Sequence, residues 1–378
     1  MIFHFKTSSG WLYGWQNRHG VKKVSIQGEK ICSIGANEIE KCTKNFKIFV
    51  ENHGFTSEQV FNADETGLNY KALPKKTLDF CVNSYAPGWK VQKQRITLMV
   101  SANSSGYRLP LVVVHTAKRP RCDTKSNMNA LPVAYYAQKN AWMDQTIFRD
   151  WFMNSFVPNV RNYLMSEGLS QKAVLVLDNV PSHPVEGFKT DDGNIFCYFL
   201  PPSSTAVLQP MDQSVIETLK HRYWKKFIQD LVSQENIDLA DYWKNYNIKN
   251  AIDNVADSWS ELSSTTLEKC WNKLWPNTES PSNNSDDVSR ADVATSTSSA
   301  LPLENSETIN EWLNCDENDC GYELLTDEQI INKVNDEEEN NDDYDGTDNN
   351  NENGHNPTAS FLRQEAKIAA SNLEKCIA

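Results

Sequence analysis

Apolar positions recur at two spacings along the first 275 residues, and the change of period marks out the elements. Residues 8–23, SSGWLYGWQNRHGVKK, predict a helix. Ser8 or Ser9 can cap it, Trp11, Leu12 and Trp15 form an apolar stripe, and Gly20 can end it. One helix cannot bury its own stripe, so this is either the last piece of a helical domain or a helix packed on the main body. Residues 37–54 predict a second helix, closing at Gly54. Residues 59–64 then read as a short strand. The β-rich runs 95–100 and 109–115 are joined by the turn Asn103-Ser104-Ser105-Gly106, which predicts a hairpin. Residues 144–166 have helical periodicity. The run Ala173–Leu177 is unbroken apolar sequence, as in a buried strand, and 195–200 is another. A long amphipathic helix is predicted over about 211–232.

Strand, hairpin, helix, buried strand, strand, helix predicts an α/β fold with a mixed central sheet flanked by helices. Residues 276–357 are rich in Ser, Asn, Asp and Glu and run into NDEEENNDDYDGTDNNNENG. Such a segment buries too little apolar area to offset its chain entropy, so a disordered acidic region is expected there. Two islands break the pattern, residues 311–334 and a C-terminal helix within 358–378. Each is open to docking on the body or binding a partner.

The formal charge of −13 conceals two regions. Residues 1–275 hold 32 Lys and Arg against 26 Asp and Glu; residues 276–378 hold 5 against 24. A mildly basic body leaves nucleic acid open as a partner. The nine cysteines include no CxxC pair and no zinc-site spacing, so they read as reduced intracellular thiols. The first residues have no signal-peptide pattern, and no run approaches the roughly 18 apolar residues of a membrane span. A soluble intracellular protein without membrane association is expected.

Three acids stand out by position: Asp64 at the end of the first strand in FNADETGL, Asp178 after AVLVL in LDNVPSHP, and Asp212 at the start of the long helix in LQPMDQSVI. Strand ends of an open α/β sheet gather ligand sites. A carboxylate closing a buried apolar run is costly without compensation, and clustered carboxylates repel one another. Mg²⁺ or Mn²⁺ would suit such oxygens, and two ions about 3.5–4 Å apart serve phosphodiester cleavage. On these residues alone, ordinary caps and turns remain the alternative. Strand alternation turns Glu65 to the opposite face from Asp64. Thr66 and Gly67 read as turn residues, and Gln209 and Pro210 as the entry to the helix of Asp212. His183 beside the second Asp is either a phosphate or water contact or a structural hydrogen bond within the PSHP turn. Glu217 is off the helical face of Asp212.

Lys220, Arg222, Lys225 and Lys226 form a basic run on that helix, either for DNA phosphates or as a solvated face, with Trp224 and Phe227 expected in the core. Arg18, Lys22 and Lys23 give the N-terminal helix a basic side that suits DNA. Lys118-Arg119-Pro120-Arg121 and Pro74-Lys75-Lys76 are short basic clusters fit for nuclear import or backbone contacts. There is no Walker loop and no GxGxxG.

FNADETGLNYKALPKKTL, KAVLVLDNVPSHP and FLPPSSTAVLQPMDQSVIETLKHRYWKKF, with W-x-D-x-x-x-F-x-x-W-F from Trp142 to Phe152, resemble the DDE superfamily endonuclease of pogo-type transposases. That group includes the Tigger and Jerky proteins and centromere protein B. The resemblance spans about residues 55–275. It implies a ribonuclease-H-like fold in which Asp64, Asp178 and Asp212 are the catalytic, metal-binding acids, with two Mg²⁺ or Mn²⁺ ions, DNA as partner and the nucleus as location. Residues 1–25 resemble the end of the family's second helix-turn-helix unit, so an N-terminally truncated copy or incomplete gene model is expected. Two functions stay open: a metal-dependent DNA strand cleavage and transfer enzyme, or a domesticated, non-catalytic DNA- or chromatin-binding protein resembling centromere protein B. A homo-oligomer is open, as is an acidic tail that engages basic partners.

Overall fold

The computed structural model describes residues 35–72, 94–120, 130–180, 182–183, 188–201, 204–234 and 239–276, and from the acidic region 316, 319 and 321. All of these belong to the first of two compact units, Met1–Glu323. The expected N-terminal helix with Arg18, Lys22 and Lys23, the cluster at Lys75 and the C-terminal helix lie outside the described residues.

Helix α1 (Ala36–His53) ends where Gly54 takes a left-handed φ of 65°, a conformation that costs glycine little. Its Phe46 and Val50 are buried, and the chain then enters β1 (Val60–Leu68). β1 pairs antiparallel with β2 (Ile96–Asn103), and β2 antiparallel with β3 (Val112–His115). A fourth strand, β4 (Ala134–Ala137), lies parallel to β3 at the edge. After α2 (Gln145–Trp151) and α3 (Val157–Ser166), strands β5 (Ala173–Leu177) and β6 (Ile195–Phe199) add parallel on the other side of β1. The order β4-β3-β2-β1-β5-β6 puts β1 inside a mixed sheet, with antiparallel β2 and β3 and the parallel edge strand β4 on one side and parallel β5 and β6 on the other. This is the ribonuclease-H-like arrangement expected from the sequence.

Alternation along β1 sends Val60 and Leu68 to one core and Phe61 and Ala63 to another. The first core lies under a short helix α4 (Thr205–Leu208), the long α5 (Val215–Ser233), α6 (Leu239–Asn245), α7 (Ile248–Ser260) and α8 (Ser264–Lys269). Trp224 and Phe227 of α5 are buried there, as expected. The second core is covered by α2 and α3, through Phe148, Trp151, Phe152 and Phe156. Asp144 caps α2 by accepting the Ile147 N–H at 3.0 Å. One π-helical turn, Phe152–Phe156, joins α2 to α3, so the helical run 144–166 is interrupted but not bent into a loop.

Three expectations change. β1 does not stop at Asp64: its pairing continues through Gly67↔Thr97 to Leu68↔Ile96, which makes Thr66 and Gly67 strand residues. The polar stretch Asp64-Glu65-Thr66 stays in the strand because β2 supplies hydrogen bonds along all of it. Helix α5 begins at Val215, so Asp212 sits in the preceding turn. Strand β4 has no clear period-two pattern in AYYA and was not foreseen.

Candidate functional site

Asp64 lies on the face of β1 that α5 covers. The β1–β5 register pairs Asn62 with Val176, so two residues further along, Asp64 and Asp178 stand on adjacent parallel strands at the same level. Neighbouring strands are about 4.8 Å apart. Both acids are buried. Asp64 Oδ1 accepts the Glu65 N–H at 2.9 Å. Burial, and after it the carboxylates of Asp212, Asp178 and Glu65, push the Asp64 carboxyl well above the usual carboxylate range, and the Asp212 carboxyl is near enough to hydrogen bond with it.

Asp212 comes from outside the sheet. Its turn is closed by the Gln213 N–H on the Pro210 carbonyl and the Ser214 N–H on the Asp212 carbonyl, both at 2.9 Å, and Ser214 adopts a left-handed φ of 73°. Two fully buried amides bind this turn to the sheet. Asn62 Nδ2 donates to the Val176 carbonyl at 2.8 Å and to Gln209 Oε1 at 3.1 Å. Asn62 Oδ1 accepts the Met211 N–H at 3.0 Å, and Gln209 Nε2 donates to the Ala63 carbonyl at 3.1 Å. Gln209 was foreseen as shaping this entry. Asn62 was not, although a polar residue in strand spacing two before Asp64 was the available signal.

Glu65 turns to the opposite face, as alternation predicts, and meets His183 there. His183 Nε2 lies 3.2 Å from both Glu65 carboxylate oxygens, and Nδ1 lies 2.9 Å from the Asp178 carbonyl oxygen. Burial lowers the imidazole pKa, but Glu65 and Asp178 outweigh it and push it up to about 10. Both ring nitrogens thus face protein groups, Glu65 on β1 and Asp178, rather than the PSHP turn itself. Nδ1 is also 3.2 Å from Asp178 Oδ1, so the buried imidazole pairs with that carboxylate as well as with Glu65.

Among the described residues no three His, Cys, Asp or Glu side chains are drawn together into a ready metal-holding arrangement. The fit to a hard divalent cation rests instead on the donor chemistry, the Asp178 and Asp212 carboxylates close enough to Asp64 to raise its pKa. Glu217, half exposed on α5, lies 3.9 Å from His221 Nε2.

The basic run on α5 does not form one open face. Lys220 is buried against Asp316, while Arg222 and Lys226 both lie against Glu261, at 3.7 and 2.6 Å. Lys225 is half-buried. Lys118 and Arg119 are exposed. The island expected within 311–334, which was open to docking on the body, contributes Asp316, Asp319 and Gly321 to the end of the β1–β2 pair. The Gly67 N–H donates to the Asp319 carbonyl at 2.7 Å, Arg95 forks onto the Asp319 carboxylate at 2.5 and 2.6 Å, and Met143 N–H and Thr97 Oγ1 donate to the Gly321 carbonyl. No helix among the described residues is long and apolar enough to cross a membrane.

Residues 93–271 match the DDE superfamily endonuclease family, a range that includes Asp178 and Asp212 and begins after Asp64. The chain is 37% identical to the human Jerky protein homolog over 272 residues, 71% of this chain and 46% of that protein. It is 32% identical to human Tigger transposable element-derived protein 7 over 285 residues, 71% of this chain and 52% of that one. The chain thus spans about half the length of these curated relatives. Among solved structures, the Mos1 transposase paired-end complex with the left transposon end overlaps 69% of this chain and 70% of its own, at 13% identity and a TM-score of 0.32.

Proposed function

We propose, for a chain that belongs to the DDE superfamily endonucleases and has Jerky and Tigger transposable element-derived proteins as relatives, that Asp64, Asp178 and Asp212 form the divalent-metal site of a DNA strand-cleaving domain. One observation carries the reading. Carboxylates from β1, the end of β5 and the turn before α5 come together where Asp64 resists ionisation, through burial first and then through the Asp212 and Asp178 charges. A fold tolerates such crowding where the negative charges share a counter-charge.

Asp64, Asp178 and Asp212 would hold Mg²⁺ or Mn²⁺, two ions being the family expectation. When bound these supply the Lewis acidity and charge neutralisation that phosphodiester hydrolysis needs. The chain's own part is to hold three acids on a central strand, its parallel neighbour and a turn bonded to the central strand. His183, held by Glu65 on the opposite face, braces Asp178 through its carbonyl and through one carboxylate oxygen. DNA as substrate and the nucleus as the place of action belong to this same reading.

Supercoiled plasmid incubated with the full chain and Mn²⁺ tests it, with Asp178→Ala alongside. Nicking by the wild type that the variant loses supports the reading. Equal nicking by both, or none by the wild type, counts against it; salt-sensitive DNA binding without nicking would favour the domesticated, non-catalytic alternative.

A further inference from the structure

Asn62 touches every segment that bears a site carboxylate. It lies two residues before Asp64. Its Nδ2 holds the carbonyl of Val176, two residues before Asp178, and its Oδ1 holds the N–H of Met211, one residue before Asp212. Gln209 closes the ring from the other side, accepting from Asn62 and donating to the carbonyl of Ala63, the residue before Asp64. The backbone partners fix the amide orientations, because the Met211 N–H can only donate and the carbonyls of Val176 and Ala63 can only accept.

This ring answers a specific mechanical need. β1 and β5 are held in register by their own ladder, but the turn of Asp212 belongs to no strand and contains a strained, left-handed Ser214. Three carboxylates at this spacing push one another apart, and the turn is the part that can yield. An amide can accept and donate from one side chain and adds no charge, whereas a carboxylate would only accept and would add to the repulsion. Both amides are fully buried, so each bond lost would leave a desolvated polar group behind.

We propose that Asn62 and Gln209 are positioning residues that set the spacing of Asp64, Asp178 and Asp212 for metal binding. This rests on the metal-site reading above. Partners that orient the groups holding a metal typically carry 10- to 100-fold in metal affinity, so about that loss is expected here.

The test is Mn²⁺ binding to the full chain, followed by calorimetry or by the free-Mn²⁺ electron paramagnetic resonance signal, with thermal melting in parallel. The variants are Asn62→Ala, Gln209→Met and the control Asn103→Ala. Asn103 is equally buried and bonds Glu58, Tyr163 and Tyr107, but it pairs with Phe61, away from the carboxylates. Mn²⁺ affinity should fall about 10- to 100-fold in Asn62→Ala and less in Gln209→Met. Asn103→Ala should melt earlier yet bind Mn²⁺ as the wild type does. If Asn62→Ala does not fold, Gln209→Met decides, since it leaves the bonds of Asn62 to Val176 and Met211 in place. Folded variants that bind Mn²⁺ within twofold of the wild type overturn the positioning role alone, as does an equal loss in Asn103→Ala. A wild type with no saturable Mn²⁺ binding overturns the metal reading and this inference with it.

Discussion

Lys220 Nζ lies 3.0 Å from the carbonyl oxygen of Asp316 and 3.2 Å from its Oδ1, and both residues are buried. The pair joins the long helix α5 to a residue in the most acidic part of the chain. Asp316 Oδ2 also accepts the Asn69 N–H at 3.0 Å, so one carboxylate seals both α5 and the exit of β1. Removing one partner of a buried pair strands the other charge, which typically costs about 3–5 kcal/mol. Asp316→Ala should therefore lose about 3 kcal/mol of unfolding free energy in urea, whereas the double variant Lys220→Met, Asp316→Leu should recover much of it. A loss within experimental error in Asp316→Ala would show that the contact contributes nothing to the fold.

Gly67 offers a second measure of the same seal. A Cβ built there would stand 2.1 Å from Asp319 Cγ and 2.3 Å from Oδ1, so any side chain must evict the carboxylate that Arg95 grips. Gly67→Ala is expected to cost about 1–3 kcal/mol through overpacking. In an Asp319→Ala background the clashing atoms are gone, and the added cost of Gly67→Ala should nearly vanish. A double-mutant cycle reads this directly; additive losses would mean that the two residues do not meet.

The buried Glu65–His183 pair makes stability depend on pH. The folded-state pKa of His183 is raised to about 10 from the ordinary imidazole value of 6.5. Its contribution is full below the unfolded value and is lost as pH climbs through the folded one. Wild type should lose stability between about pH 6.5 and 10. His183→Gln, which keeps donor capacity but cannot titrate, should show a flatter profile over that window. Denaturant midpoints at half-unit pH steps provide the check, and parallel profiles would remove His183 as the cause.

Asp64 destabilises where His183 stabilises, although both make stability fall as pH rises. The folded-state pKa of Asp64 is raised, by burial first and then by the Asp212 and Asp178 carboxylates, so it costs stability that grows as pH rises above the unfolded value and is complete above the folded one. In EDTA, Asp64→Asn should melt a few degrees higher than wild type. With Mn²⁺ at a hundredfold excess over Kd, wild type should gain about 2.7 kcal/mol, and the variant should gain far less. For a domain of this size that gain is on the order of 5–10 °C. An Asp64→Asn chain that melts lower in EDTA and responds to Mn²⁺ as wild type does would exclude both the repulsion and the metal.

Much of the scaffold was legible because it depends on local pattern. AVLVL marked β5 to the residue, Gly54 marked the end of α1, and alternation placed Asp64 and Glu65 on opposite faces. What local pattern missed had non-local causes. β1 runs on past Asp64 because β2 pairs with Thr66 and Gly67, polar and flexible residues that read as a turn in isolation. The basic run on α5 read as one surface, but Asp316 and Glu261, far away in sequence, claim three of its four cations.

The amino-acid sequence by itself determined the α/β class and the resemblance to a DDE endonuclease, and it singled out three acids as candidates, since periodicity and residue chemistry are written along the chain. Tertiary structure alone decided how those acids are held. A buried amide such as Asn62 has no recognisable role until Val176, Met211 and Gln209 are folded around it, because a hydrogen bond between residues more than a hundred positions apart leaves no periodic trace. It likewise decided that the acidic region reaches back to the sheet through Asp316 and Asp319, where Lys220 and Arg95 supply charges to pair with.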